Sequence, residues 1–264
     1  MKIYYDMSNK QNPVTLHELA KPYHFKSASN DSRTLVILVH GFGASTTETR
    51  PLAEFLQGKG YDIYGVLLSG HGTQPSDLDK ISWKDWIKDV NDIFKKEHKN
   101  YEKIFIGGIS LGGSISLYGS TEMNFSGVFT INAFYRFPLL YRLLTWFLHF
   151  FKYHKPRNER RIKWYQEHNL YSYSDDSTFA AYQIIKLLRN LHRRIKKLNI
   201  PTLIIQSQTD KTISPTNAEF LYKNLRTKKE IFRVPQADHI LTVDENRFPA
   251  FEKIAIFIKE VNNG

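Results

Sequence analysis

The chain has 264 residues, 41% of them hydrophobic and 24% charged, the make-up of an ordinary folded protein and enough for one domain with a substantial core. It holds no cysteine, which excludes disulfides, thiolate catalysis and Cys-ligated metal. The net charge of +11 is concentrated: residues 136–197 carry 14 Lys/Arg against 4 Asp/Glu, a net of +10, and no nucleic-acid module signature accompanies it, so nucleic acid is not an expected partner.

The opening stretch "MKIYYDMSNKQNPVTLHELAKPY" has no apolar core ahead of a small-residue cleavage site and does not read as a secretory signal, which makes the cytoplasm the expected location. Short β-branched apolar runs follow: "TLVILVHGF" (34–42), "YDIYGVLL" (61–68), "KIFIGGIS" (103–110), "FSGVFTINA" (125–133), "TLIIQS" (202–207) and "KEIFRVP" (229–235). Apolar strands alternating with helices imply α/β architecture, a mostly parallel central sheet with helices on both faces.

The helix signals fall between these runs. Ser82 is a candidate cap for a helix over 83–100 with an apolar stripe of Trp83, Trp86, Ile87, Val90 and Ile93. Ser214 and Pro215 read as a cap and first helical residue of another, and a last helix over 247–261 is expected to bury Phe251, Ile254, Ile256 and Phe257.

The alternation breaks between Ala133 and Ile200, where the chain turns helix-like, aromatic and basic. This places a helical cap, or lid, at 134–197 inserted into a core domain made of 1–133 and 198–264. In "FPLLYRLLTWFLHFF" (137–151) the polar residues Arg142, Thr145 and His149, followed by Lys152, step by three or four and share one narrow stripe. The expectation is a helix either buried on most of its circumference by packing on the core or laid against an apolar guest, with part of the same surface lining an acyl pocket. The stretch is too short to span a bilayer. The basic residues around it suit peripheral contact with anionic lipid surfaces.

"KIFIGGISLGGSISLYG" (103–119) sets Ser110 in a Gly-x-Ser-x-Gly arrangement between a strand and a helix. Such a motif arises by chance roughly 0.05 times in a chain of this composition. A serine hydroxyl needs a base, a carboxylate to orient the base, and donors for the oxyanion. Asp210 and His239 each stand just past a later strand, in the order Ser, Asp, His expected of a nucleophile elbow. Asp238 and Asp244 lie close in sequence to His239, but a carboxylate adjacent to the histidine folds back poorly onto its ring. Gly108 and Gly112 relieve crowding at the turn. No His-Glu-x-x-His pair suggests a metal site, and "GGISLGGS" lacks the Gly-Lys-Ser/Thr ending of a phosphate loop.

With "HGFGAS", "GHGTQPSDL", "GISLGG", "QTDKTISP" and "ADHILTVDENR" the sequence resembles the bacterial carboxylesterase and monoacylglycerol lipase branch of the α/β-hydrolase superfamily, over about 34–133 and 200–262. The resemblance implies an α/β-hydrolase fold with a cap and no cofactor or metal. It implies Ser110 as nucleophile, His239 as base, Asp210 as its orienter, and the N–H groups of Phe42 and Leu111 as oxyanion donors. Gly41, His71, Phe134, Leu143, Trp146, Phe147 and Ile240 are candidate substrate contacts. The expected activity is hydrolysis of small medium-chain acyl esters such as monoacylglycerols. A thioesterase, peptidase or acyltransferase on the same residues, or a noncatalytic binding protein on the same fold, are the alternatives.

Overall fold

A computed structural model of the protein describes residues 18–28 and 32–264, so residues 1–17 of the stretch read for a signal lie outside the described residues. In chain order the elements are β1 (Tyr23–Phe25), β2 (Thr34–Val39), α1 (Arg50–Gly58), β3 (Asp62–Val66), α2 (Trp83–Glu97), β4 (Lys103–Ile109), α3 (Leu111–Gly119) and β5 (Gly127–Ile131). There follow α4 (Leu139–Leu148), β6 (His154–Pro156), α5 (Glu159–Glu167), β7 (Asp175–Ser177) and α6 (Thr178–Arg194). The chain ends with β8 (Thr202–Ser207), α7 (Thr216–Asn224), β9 (Lys229–Val234) and α8 (Phe248–Asn263).

Seven strands form one sheet in the order β1-β3-β2-β4-β5-β8-β9, parallel except for β1. Strands β2, β5 and β8 are buried along their whole length, as continuous apolar runs covered on both faces must be. Alternate residues feed opposite layers: Leu35, Ile37 and Val39 pack with Trp86 of α2, Ile115 of α3 and Leu187 of α6, whereas Val36 and Leu38 pack with Leu52 of α1 and Phe251 of α8. At the edge, β9 is only half-buried, with Lys229, Glu230 and Arg233 set among its apolar residues.

Helix α2 starts in a reciprocal capping box, Ser82 with Asp85, and buries Trp86, Ile87 and Val90. Around α7 the boundary shifts by one residue: Pro215 flanks the helix, and the Ser214 hydroxyl pairs with Thr216 Oγ1 instead of a backbone N–H. In α8 the inward face is Phe251, Ile254, Ala255, Phe257 and Ile258, while Ile256 is 47% exposed. Ile256 is thus a correction, since a 3.6-residue period turns it away from a face set by Phe251, Ile254 and Ile258.

The insertion between β5 and β8 differs from a purely helical excursion. It carries a two-stranded antiparallel ribbon, β6 with β7, whose three-residue strands are too short to leave a pattern. Its last helix, α6, sends Ile184, Leu187, Leu188 and Leu191 into the main core. Helix α4 reverses the expected burial. Thr145 is its buried residue, and the apolar side chains turn outward, from Leu140 at 78% exposure to Phe151 at 68% just past the helix end. Helix α4 packs against α6, and bulky side chains occupy most of its circumference outside the buried Thr145.

Candidate active site

Every candidate catalytic residue lies beyond the carboxyl end of a parallel strand, where open α/β sheets bind ligands. Between β4 and α3, Ser110 takes φ 56° and ψ −116°, a left-handed φ that costs a non-glycine residue about 1–3 kcal/mol. Its N–H donates to the Ile131 carbonyl at 2.9 Å, and its own carbonyl accepts from the Phe134 N–H at 3.4 Å. The turn depends on close backbone approach: a Cβ on Gly112 would stand 2.1 Å from the Val39 carbonyl oxygen. Leu111 begins α3 directly after the serine and is fully buried.

After β8, Asp210 is held by its own turn. Its Oδ1 accepts from the N–H groups of Thr212 (2.7 Å) and Ile213 (2.9 Å). Its Oδ2 lies 2.7 Å from His239 Nδ1, so a proton on Nδ1 leaves Nε2 as the basic nitrogen of the ring. The two expected partners are therefore in contact, and both side chains are nearly buried.

What seats His239 is a residue that the sequence reading missed. Asn132, just past β5 with φ 47°, is fully buried. Its Nδ2 donates to the His239 carbonyl (2.8 Å) and to Ser207 Oγ (2.9 Å), and its Oδ1 accepts from the Ser207 N–H (2.7 Å). The available signal was an Asn ending an apolar strand, since Asn is among the few residues that enter left-handed backbone readily.

Past β2 runs the "HGFG" loop. Gly41 lies against the nucleophile, a Cβ there meeting Ser110 Cβ at 3.5 Å and Glu48 Oε2 at 2.9 Å. The Gly41 N–H donates to Glu48 Oε2 at 2.8 Å. Burial pushes the Glu48 carboxyl above its ordinary range, partly offset by that N–H and by the nearby Arg157 and Arg161 cations. His40 donates from Nδ1 to the Gly41 carbonyl (2.8 Å) and accepts the Leu68 N–H at Nε2 (3.1 Å), and its burial lowers the imidazole to about 4. Neither Glu48 nor Arg157 carried a sequence signal; one stands among threonines and the other in a basic run.

Of the candidate substrate contacts, His71 is 3% exposed in a cluster of rings, edge-on to His40 at 4.9 Å and stacked with Tyr173 at 6.2 Å. Its Nδ1 donates to the Ser69 carbonyl, and Nε2 has no hydrogen-bond partner. Ile240 is buried beside Ala237 and Val234. Phe134 begins a ladder of rings, with Phe137 at 4.8 Å and Tyr141 a further 4.9 Å on. Leu143, Trp146 and Phe147 lie on the exposed side of α4. Among the described residues no group of His, Cys, Asp and Glu has the arrangement of a metal site.

A mainly parallel sheet with a strained serine turn after its central strand defines the α/β-hydrolase class. Residues 30–246 match the family described as serine aminopeptidase, S33, and the chain belongs to that family of α/β-hydrolases. It is similar to a thermostable monoacylglycerol lipase of Bacillus sp. (strain H-257), 28% identical over 79% of this chain and 84% of the relative. It is also similar to a carboxylesterase of Bacillus subtilis (strain 168), 24% identical over 92% of this chain and 97% of the relative. Among solved structures, a metagenome-derived lipolytic enzyme shares the fold with a TM-score of 0.81 at 23% identity, covering 93% of this chain and all of its own.

Proposed function

We propose that the protein is a carboxylic-ester hydrolase acting on medium-chain acyl esters such as monoacylglycerols, with Ser110 as nucleophile, His239 as base and Asp210 as its orienter. The observation that carries this reading is the 2.7 Å contact between His239 Nδ1 and an Asp210 carboxylate already fixed by two N–H groups. It commits the ring to one tautomer, with Nε2 free to take a proton. Ser110 Oγ attacks the ester carbonyl while its proton passes to His239 Nε2. The oxyanion is held by the N–H groups of Phe42 and Leu111. Collapse expels the alcohol, which takes the proton from His239, and leaves an acyl-serine. Water, deprotonated by the same nitrogen, then releases the carboxylic acid and restores Ser110.

The acyl chain is assigned to the rings and aliphatic side chains of the insertion, residues 134–197, read as a cap. The names of the two Bacillus relatives favour an ester over the peptide bond of the family's description. The test is hydrolysis of p-nitrophenyl esters of increasing acyl length by wild type and Ser110→Ala. The expected result is a loss of at least about 10³-fold in kcat in the variant and a preference of wild type for octanoyl over acetyl. Equal rates from the two proteins would sink the mechanism, and an acetyl preference would remove the acyl site.

A lipid surface is the proposed source of substrate. From 136 to 156 the chain has four cations, Arg136, Arg142, Lys152 and Lys155, and no carboxylate, around the outward apolar side chains of α4. Apolar area ringed by positive charge matches an anionic bilayer. The Phe134–Phe137–Tyr141 ladder joins that face to the backbone of Ser110. Wild type is expected to float with phosphatidylglycerol-containing vesicles about tenfold better than with pure phosphatidylcholine. A Leu140→Glu/Phe151→Glu double variant is expected to lose flotation yet hydrolyse a soluble short ester normally. Indifference to lipid charge, or a concentration-dependent dimer that the same variant dissolves, would overturn the idea.

A further inference from the structure

We infer that Arg157, a residue of the insertion, is a positioning residue for the oxyanion loop, so that the oxyanion hole is built jointly by the sheet and by the β6–β7 part of the insertion. The inference rests on the reading of the Phe42 N–H as an oxyanion donor.

Four consecutive peptide units of the loop are each fastened. The 40–41 unit donates its N–H to Glu48. The 41–42 unit, which carries the Phe42 N–H, has its carbonyl held by His40 Nδ1. In a trans peptide the N–H points opposite the carbonyl, so this bond aims the Phe42 N–H away from His40. The 42–43 unit gives its carbonyl to Arg157 Nη2 at 3.2 Å, and the 43–44 unit gives its carbonyl to the Tyr173 N–H at 2.8 Å. The first two fastenings come from residues next to the loop in sequence, and the last two from the insertion.

Arg157 is placed as a fixed part. Its side chain is 1% exposed. Nε and Nη2 donate to Asp176 Oδ1 at 2.9 and 2.7 Å, and Nη1 donates to Ser172 Oγ at 2.6 Å. The loop is shaped around the guanidinium: Gly43 has φ +62°, and a Cβ there would lie 2.3 Å from Nη2. Burying a cation is costly even beside a carboxylate, and a pair serving stability alone is often replaceable by apolar residues. Here the cation also spends a hydrogen bond on the carbonyl one unit beyond the oxyanion donor. Neighbouring fastenings tie the insertion to the same loop and to the next one. Ser45 Oγ donates to the Tyr171 carbonyl, Tyr173 Oη donates to the Gly70 carbonyl, and Ser177 Oγ donates to Asp79. The ribbon half of the insertion is thus bolted to the loops of the sheet, and the apolar face of α4 belongs to the other half.

The test compares wild type, Arg157→Met, Arg157→Lys and Asp176→Asn on a soluble short-chain p-nitrophenyl ester. Each is also titrated with a trifluoromethyl ketone, which forms a tetrahedral adduct with the nucleophile. Removing an oxyanion donor outright costs about 10²–10³-fold in kcat, so a donor left in place but loosened is expected to cost about tenfold or more. Arg157→Met should lower kcat by that factor, leave KM within about twofold, and weaken the ketone in proportion. Arg157→Lys should recover part of both. Should Arg157→Met fail to fold, Asp176→Asn, at a third-exposed position, carries the test with a smaller loss of the same pattern. Unchanged kcat per titrated site, or a fall in kcat with ketone affinity intact, overturns the inference. Failure of the underlying reading looks different: Ser110→Ala would keep its activity, and no variant would bind the ketone covalently.

Discussion

Ser110 joins the side chain proposed as nucleophile to a backbone conformation that a glycine would prefer. Its φ of 56° is strained for serine and free for glycine. Ser110→Ala therefore keeps the strain and Ser110→Gly releases it. The glycine variant is expected to be more stable than the alanine variant by about 1 kcal/mol in urea denaturation, and a lower midpoint for the glycine would show that the turn stores no strain. At this scale the sequence was most informative where chemistry restricts residue type. Ser110, Asp210 and His239 stood out as candidates because each follows an apolar strand, and the Asp210–His239 contact expected from their order is present in the fold. Asn132, Glu48 and Arg157 did not, because their roles depend on which backbone group lies opposite them in space. A buried arginine inside "KYHKPRNERR" looks like any of its solvated neighbours until Phe42 and Asp176 are placed beside it.

Among the elements, periodicity was reliable where one face is covered by a large uniform surface. Helix α2 has its cap and stripe as read, because Trp86, Ile87 and Val90 all face the sheet, and it ends at Glu97, three residues short of the stretch read as helix. The strands of the sheet's centre were equally clear. Helix α4 shows the limit of the same logic. A narrow polar stripe on an apolar helix says that two environments exist, but not which of them is water. Thr145 took the inward place, and most of the large side chains were left outside. The ribbon of β6 and β7 was invisible for another reason, since pairing of three-residue strands is decided by tertiary contacts such as Ser177 with Asp79.

For the molecule as a whole, buried imidazoles set the acid limit. His40 sits at about 4 in the fold against 6.5 ordinarily, and burial beside His40 holds His71 well below its usual range as well. Below pH 6.5 the unfolded chain takes up protons that the folded one refuses, so this stability is complete above 6.5 and is lost as pH falls toward 4. For His40 alone the loss is about 3 kcal/mol, with a slope of about 1.4 kcal/mol per pH unit. Glu48 acts with the opposite sign, its raised carboxyl favouring the fold as pH falls through the carboxylate range. The denaturation midpoint is expected to drop between pH 6.5 and 5, before ordinary carboxylates titrate. A flat midpoint over that interval would mean that both rings are protonated in the fold.

Asn132 joins the end of β5, the end of β8 and the His239 loop through one side chain. The proposed catalytic side chains, which lie between residues 110 and 239, thus come together only when the last of them arrives. On the proposed mechanism, a growing polypeptide that has already exposed Ser110 but not yet reached β9 lacks its base and is expected to be inert. On the same reading, a break between β5 and the final helix that lets these strands part is expected to abolish activity.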